Sequence, residues 1–284
     1  MNQTPLPDGY PPLPEPLGVP AVDSHCHLDL AAGDAALPVG QALAAAHAVG
    51  VTRVVQIGCD VDSARWSVDV AQQQPAVVAG VALHPNEAPR IAARAGRDAL
   101  AAAWAEIDRL AAHPRVRAIG ETGLDHFRTG PDGREVQEES FRRHIALAKA
   151  HDKALVIHDR DAHDDVVRVL LDEGPPERVV FHCFSGGPEL ARTCVDHGWV
   201  VSFAGTVTFK NAEPLRAALA VVPLELLLVE TDAPYLAPVP FRGRPNGSYL
   251  VPLTLRAMAA VKGVDADTLA AATTTVSDRI FGGW

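Results

Sequence analysis

Positive charge is scarce in this chain of 284 residues: Lys and Arg total 25 against 35 Asp and Glu, a formal balance of −10 with histidine neutral. Coating nucleic acid requires many neutralised phosphates, and binding an anionic membrane surface requires clustered cations, so the balance argues against both. An enzyme that meets one phosphate through metal ions remains compatible with it. Long apolar runs are missing too. Stretches such as Ala76–Leu83 and Leu226–Val229 are far too short to span a bilayer, so no membrane partner is expected. No apolar run follows a basic segment near the start, so no secretion signal is expected. The four cysteines, Cys26, Cys59, Cys183 and Cys194, form no CxxC pair, which fits reduced thiols in a cytoplasmic protein. Apolar residues at 48% and charged residues at 21% describe a globular chain with ample core and exclude disordered and fibrous classes.

Residues 1–20 hold seven prolines, at 5, 7, 11, 12, 14, 16 and 20, and read as an extended arm packed on the surface or loose. Beyond it a rhythm sets in. Short β-branched runs recur at Ala21–Ser24, Val51–Gly58, Val77–Leu83, Val116–Gly120, Ala154–Ile157, Val179–Phe181, Trp199–Phe203 and Leu226–Val229. Between them lie stretches of helical spacing: Val39–Val49, Ser63–Gln73, Asp98–Ala112, Val136–His151, Asp164–Leu171, Pro188–Asp196 and Ala212–Ala220. A loop over Arg242–Gly247 precedes a closing helix from about Pro252. Apolar runs separated by helices are parallel strands joined by crossovers, at about 30 residues per unit. A doubly wound open sheet would carry a glycine-rich turn after its first strand, and here Asp23-Ser24-His25-Cys26-His27 stands instead. The expectation is an α/β fold, a (β/α)8 TIM-type barrel forming a single domain over residues 21–284.

Twelve histidines are available. His47, His113, His144, His151, His163 and His197 fall in helices or at their ends, where capping and solvent-facing histidines are commonplace. His25, His27, His84, His158 and His182 each fall at the C-terminal end of an expected strand, the end at which barrels build their sites. His25 and His27, two apart on extended chain, point to one face, whereas Cys26 points away and reads as a small buried hydrophobe. Glu121 and Asp232 stand at two further strand ends. Four histidines and two carboxylates suit two divalent ions with one carboxylate shared. None of the four lysines falls at the fourth strand end, where a carbamylated lysine often bridges paired metals, and Glu121 does. Glu121 is therefore the candidate bridge, and Asp232 the candidate metal ligand and proton acceptor for bound water.

Four blocks now stand in order: Asp23-Ser24-His25-Cys26-His27-Leu28-Asp29, Gly120-Glu121-Thr122-Gly123-Leu124-Asp125, Phe181-His182-Cys183-Phe184-Ser185-Gly186, and Val229-Glu230-Thr231-Asp232-Ala233-Pro234-Tyr235-Leu236. Together they resemble the TatD family of metal-dependent deoxyribonucleases, within the amidohydrolase-type barrels, and the resemblance runs from about Ala21 to the C-terminus. It implies a phosphodiesterase acting on DNA, often exonucleolytically on single strands or at ends. It also implies His25 and His27 with Asp232 at one ion, His158 and His182 at the other, Glu121 between them, and His84 against substrate. Two departures stand out: His126 where the family commonly has an aromatic, and Asn246-Gly247-Ser248 where it usually has Asn-Glu-Pro.

Arg160, Ser185 and Asn246 join His84 as expected substrate contacts, with Lys210, Arg242 and Arg244 as further cations of the same loops. Ser185-Gly186-Gly187 opens a helix, where backbone N–H groups can meet a phosphate or simply form a cap. Imidazole-rich sites suit Zn and Mn, and phosphodiester chemistry often uses Mg, so all three ions are candidates. The same cage hydrolyses amides and esters in related barrels, so an amide or ester hydrolase, such as a D-aminoacyl-tRNA deacylase, is the alternative.

Overall fold

A computed structural model describes residues 6–30 and 37–284. Residues 1–5 of the proline-rich arm lie outside the described residues. Eight strands alternate with helices: β1 (Ala21–Cys26), α1 (Val39–Ala48), β2 (Val51–Gly58), α2 (Val61–Gln73), β3 (Val77–Val81), α3 (Glu87–Ala111), β4 (Val116–Asp125), α4 (Pro131–Ala150), β5 (Ala154–Arg160), α5 (His163–Glu173), β6 (Val179–Phe181), α6 (Pro188–Asp196), β7 (Val200–Phe203), α7 (Glu213–Val221), β8 (Leu227–Val229), α8 (Val251–Lys262) and α9 (Ala266–Phe281). The strand order follows the chain from β1 to β8, which is the (β/α)8 class. No helix among the described residues is long and apolar enough to cross a membrane.

Contacts group the chain into two compact units, one made of the chain up to Gln56 plus Gly186–Arg279, the other of Ile57–Ser185 plus Ile280–Trp284. In the first unit, β1 pairs in parallel with β2, and β7 with β8. First and last strands also meet there: the Ser24 hydroxyl donates to the Val229 carbonyl at 2.9 Å, and Cys26 bridges to Ala233. The core of this unit includes Val22, Val55, Val201, Phe203, Leu228 and Leu255. The arm packs against the same unit. Tyr10 and Leu17 are buried. The Tyr249 hydroxyl donates to the Pro11 carbonyl (3.0 Å), and Arg244 donates to the carbonyls of Gly9 (3.0 Å) and Tyr10 (2.7 Å).

In the second unit, β3, β4, β5 and β6 pair in parallel around Val78, Ile119, Leu155, Ile157 and Phe141, all buried. Local chemistry sets the helix starts. Asp60 and Ser63 form a reciprocal capping box at α2, and Pro131 occupies the first turn of α4. Gly96, at φ 86°, divides α3, which is why the helical spacing was visible only from Asp98 onward. Strand β4 runs five residues beyond the expected Gly120. Its extension depends on Gly123, at φ +136°, where an added Cβ would stand 2.1 Å from the His158 carbonyl oxygen.

Candidate metal centre

The first unit assembles one cluster at the end of β1. Alternation along the strand places His25 and His27 on one face, with ring centroids 5.0 Å apart and their Nε2 atoms 3.3 Å apart. Cys26 is fully buried on the other side, its thiol facing the Val55 carbonyl at 3.5 Å, as expected of a small hydrophobe. Asp232 reaches the pair from beyond β8: its Oδ1 lies 3.4 Å from His27 Nε2 and 3.8 Å from His25 Nε2. Main-chain bonds hold the two segments together, Asp232 N–H donating to the His25 carbonyl (3.0 Å) and His27 N–H to the Ala233 carbonyl (2.8 Å). Beneath them the carboxylate of Asp23 accepts from the Thr231 N–H (2.9 Å) and hydroxyl (2.6 Å). Burial pushes the Asp23 carboxyl up to about 6, against those hydrogen bonds.

These residues fit a divalent ion. Four ligands at about 2.1 Å in tetrahedral geometry stand ~3.4 Å from one another. The three donor atoms of His25, His27 and Asp232 are separated by 3.3, 3.4 and 3.8 Å. The donor set, two imidazoles and one carboxylate, suits Zn or Mn and leaves a position for water.

A second cluster forms in the other unit around Glu121, at the bulge where β4 changes register between Ile119 and Thr122. Glu121 Oε2 lies 2.6 Å from His182 Nε2 and 3.3 Å from His158 Nδ1, and Oε1 lies 4.0 Å from His84 Nε2. Ligand atoms of His84, Glu121 and His158 approach closely enough to share one ion. His84, which the family resemblance assigns to substrate, therefore stands among the candidate ligands. Its Nδ1 accepts the Asn86 N–H at 3.1 Å, which leaves Nε2 toward Glu121. Burial pushes the His84 imidazole down to about 4, so it stays neutral and able to ligate. Burial alone would raise the Glu121 carboxyl, but His182, His84 and His158 outweigh it and hold the group well below its usual range.

Sequence reasoning passed over two residues of this cluster. Asp125 Oδ2 lies 3.3 Å from His158 Nε2 and accepts from Asn86 Nδ2 at 3.1 Å, placing a carboxylate on the imidazole nitrogen that Glu121 does not take. Its signal was present: Asp125 is four residues past Glu121, and following β4 beyond Gly120 would have exposed the pairing. Cys59, just past β2, directs its thiol to Glu121 Oε1 at 3.2 Å, and the strand-end rule applied to β2 would have found it.

The expected substrate contacts are placed differently from one another. Arg160 lies over the Phe127 ring, its guanidinium carbon 4.0 Å from the centroid. The Ser185 hydroxyl donates to the Asp159 carbonyl at 2.9 Å. Asn246 is buried, with Nδ2 donating to the carbonyls of Thr231 (2.9 Å) and Tyr235 (2.5 Å) and Oδ1 accepting the Gly247 N–H (2.9 Å). That amide holds the Asp232 segment in place. Arg242 lies over Phe209 at 4.5 Å, while Arg244 is committed to the arm. The histidines set aside at the sequence level have structural partners where the contacts are known: His144 with Leu83, His151 with Asp108, His163 with Asp159, and His197 stacked on Trp199.

Histidine and carboxylate clusters at the strand ends of a (β/α)8 fold define a metal-dependent hydrolase. The model of the family of TatD-related DNases matches residues 22–282. An uncharacterized metal-dependent hydrolase TatD of Mycobacterium tuberculosis is 47% identical over 93% of this chain and 98% of its own length. An uncharacterized metal-dependent hydrolase, YcfH, of Escherichia coli K12 is 38% identical over 92% of this chain and 95% of its own. Among solved structures, YjjV, a TatD homologue from Escherichia coli K12, superposes with a TM-score of 0.82 at 26% identity, covering 92% of this chain and 97% of that one. The chain belongs to the TatD-related DNase family.

Proposed function

We propose that the protein is a divalent-metal-dependent deoxyribonuclease that hydrolyses phosphodiester bonds of DNA at single strands or ends. The observation that carries this reading is the His25–His27–Asp232 triplet, whose spacing suits an ion and whose carboxylate is its most exposed member. In this reading His25, His27 and Asp232 hold one ion, and Glu121, His158 and His182 hold the second, with His84 beside them. Bound divalent ions lower the pKa of a coordinated water toward neutrality and take up charge on the phosphoryl oxygens. Asp232 keeps 16% of its side chain exposed while His25 is fully buried, so it is the member able to accept a proton from water. Asp125 fixes the orientation of His158, and Asn246 fixes the segment carrying Asp232. Glu121 is the carboxylate at the centre of the second cluster, so Glu121→Gln is expected to lower the bound metal content.

The test is hydrolysis of end-labelled single- and double-stranded DNA in Mg, Mn and Zn, with Asp232→Asn alongside and a D-aminoacyl-tRNA ester offered to the same metal-loaded sample. Wild type is expected to cut DNA, and Asp232→Asn to lose about 100- to 10,000-fold in rate. Undiminished activity in that variant removes Asp232 as the base. Ester cleavage without DNA cleavage replaces the nuclease reading with the acyl-hydrolase one.

A further inference from the structure

Phe127, in the turn that follows β4, leaves 62% of its surface in water. A large ring that exposed contributes little to the core. One face is nonetheless occupied, since the Arg160 guanidinium at the end of β5 lies 4.0 Å from its centroid. The backbone under the pair is fixed. Asp125 pairs with Arg160 across the β4–β5 ladder. His126 N–H donates to the Arg160 carbonyl (2.9 Å), Thr129 N–H to the Asp125 carbonyl (3.1 Å), and Arg128 N–H to Asp125 Oδ1 (2.8 Å). This platform adjoins the Glu121 cluster: Asp125, which contacts His158, is two residues before Phe127, and His158 is two residues before Arg160.

Arg160 sits in an acidic neighbourhood yet pairs with no carboxylate among the described residues. Its neighbour Asp159 is engaged by His163 at 2.7 Å, and Asp165 lies 3.8 Å from His126. A guanidinium stacked on a ring keeps its N–H donors in its own plane, available to a phosphate. The ring it covers keeps its other face for a second flat partner. A nucleobase is such a partner, and base–aromatic stacking tolerates any sequence because every base has a π-face. Bases inside a duplex already have both faces stacked, so a platform of this kind takes an unpaired or terminal base.

We propose that Phe127 and Arg160 form a stacking platform for an unpaired or terminal nucleobase of DNA. The proposal rests on the DNA-hydrolase reading above and names the part of the substrate that it engages beyond the scissile phosphate.

The test is binding of a phosphorothioate-linked single-stranded oligonucleotide, which resists hydrolysis, to the metal-loaded protein, followed by fluorescence anisotropy. Phe127→Ala is expected to weaken binding by about 10- to 100-fold, Phe127→Tyr to retain it, and Phe127→Leu to behave as alanine. An oligonucleotide with abasic terminal positions is expected to bind wild type as weakly as Phe127→Ala, with no further loss in the variant. Wild-type affinity in Phe127→Leu, or an equal loss on abasic and base-bearing strands, overturns the platform. The two readings separate. Ring-dependent binding without hydrolysis in any metal leaves the platform and removes the nuclease. DNA cleavage with full affinity in Phe127→Ala does the reverse.

Discussion

At Asp232 the backbone enters the left-handed region, with φ 53°, a conformation that Asp adopts more readily than most residues. That turn brings the carboxylate back over His25 and His27. Asp125 has a quieter role, holding the His158 ring by the nitrogen farther from Glu121. Asp125→Asn keeps the size and the oxygen that meets the Arg128 N–H but removes the charge beside His158. It is expected to lower metal affinity or activity by about 10- to 100-fold with little change in the unfolding midpoint, measured by metal titration and urea denaturation. His144 supports the same region from α4. It is fully buried, its Nε2 accepting the Leu83 N–H at 3.1 Å and its Nδ1 meeting the Ser140 carbonyl at 2.7 Å. The Leu83 contact requires the neutral ring, and burial outweighs the Ser140 hydrogen bond and pushes the pKa down to about 4. The unfolded chain therefore takes up this proton near pH 6.5 while the folded chain resists until about 4. Stability from this group is full above pH 6.5 and falls as pH drops to 4, by on the order of 3 kcal/mol. Urea midpoints across that range are expected to fall less steeply in His144→Gln than in wild type. Equal slopes would remove His144 as the cause.

Among the elements, β4 contributes most to the site. Its C-terminal half carries Glu121 and Asp125, and it pairs with β5 at Gly123↔His158 and Asp125↔Arg160. Gly123→Ala would place a Cβ against the His158 carbonyl at a positive φ. The variant is expected to lose on the order of 3 kcal/mol of stability, read from the urea midpoint, and to bind less metal at the Glu121 cluster. The element also shows where pattern reading stops. Val116–Gly120 is β-branched and apolar and reads as strand, whereas Glu121–Asp125 is polar and glycine-containing and reads as loop. Only pairing with β5 makes it strand. Helix α9 went unread for a related reason: Thr273, Thr274, Thr275 and Val276 are poor helix formers. Burial of Leu269, Ala270, Val276 and Ile280, with the Asp265 carboxylate accepting the Thr268 N–H at the start, makes the segment helical. In β2, β3, β5, β6, β7 and β8 apolar runs identified the strands to within a few residues, because strands buried on both faces leave continuous hydrophobic runs.

For the whole molecule, under the proposed DNA-hydrolase reading, the formal charge of −10 limits how DNA would be met. Contact through bound ions and a few arginines neutralises few phosphates. Binding of single-stranded DNA is expected to show a slope of log K against log salt of about −1 to −3, corresponding to two to four phosphates. A slope steeper than about −6 would instead mean coating along the strand. The −10 also shifts meaning at the site, where Glu121 and Asp232 belong to the candidate metal clusters rather than to a solvated surface.

The sequence by itself determined the alternation of strands and helices, the strand ends at which histidines and carboxylates collect, and the family, because these are properties of local pattern and short motifs. Tertiary structure decided the rest. It brought Asp232 to within 4 Å of His25 and His27 from the far end of the chain. It gave Asp125 to His158, turned Asn246 inward and Arg244 onto the carbonyls of the arm, and left Phe127 in water under Arg160. Each of these depends on which segments meet across β4–β5 or β1–β8. A side chain's partners are set by that meeting, and no periodicity along one segment encodes it.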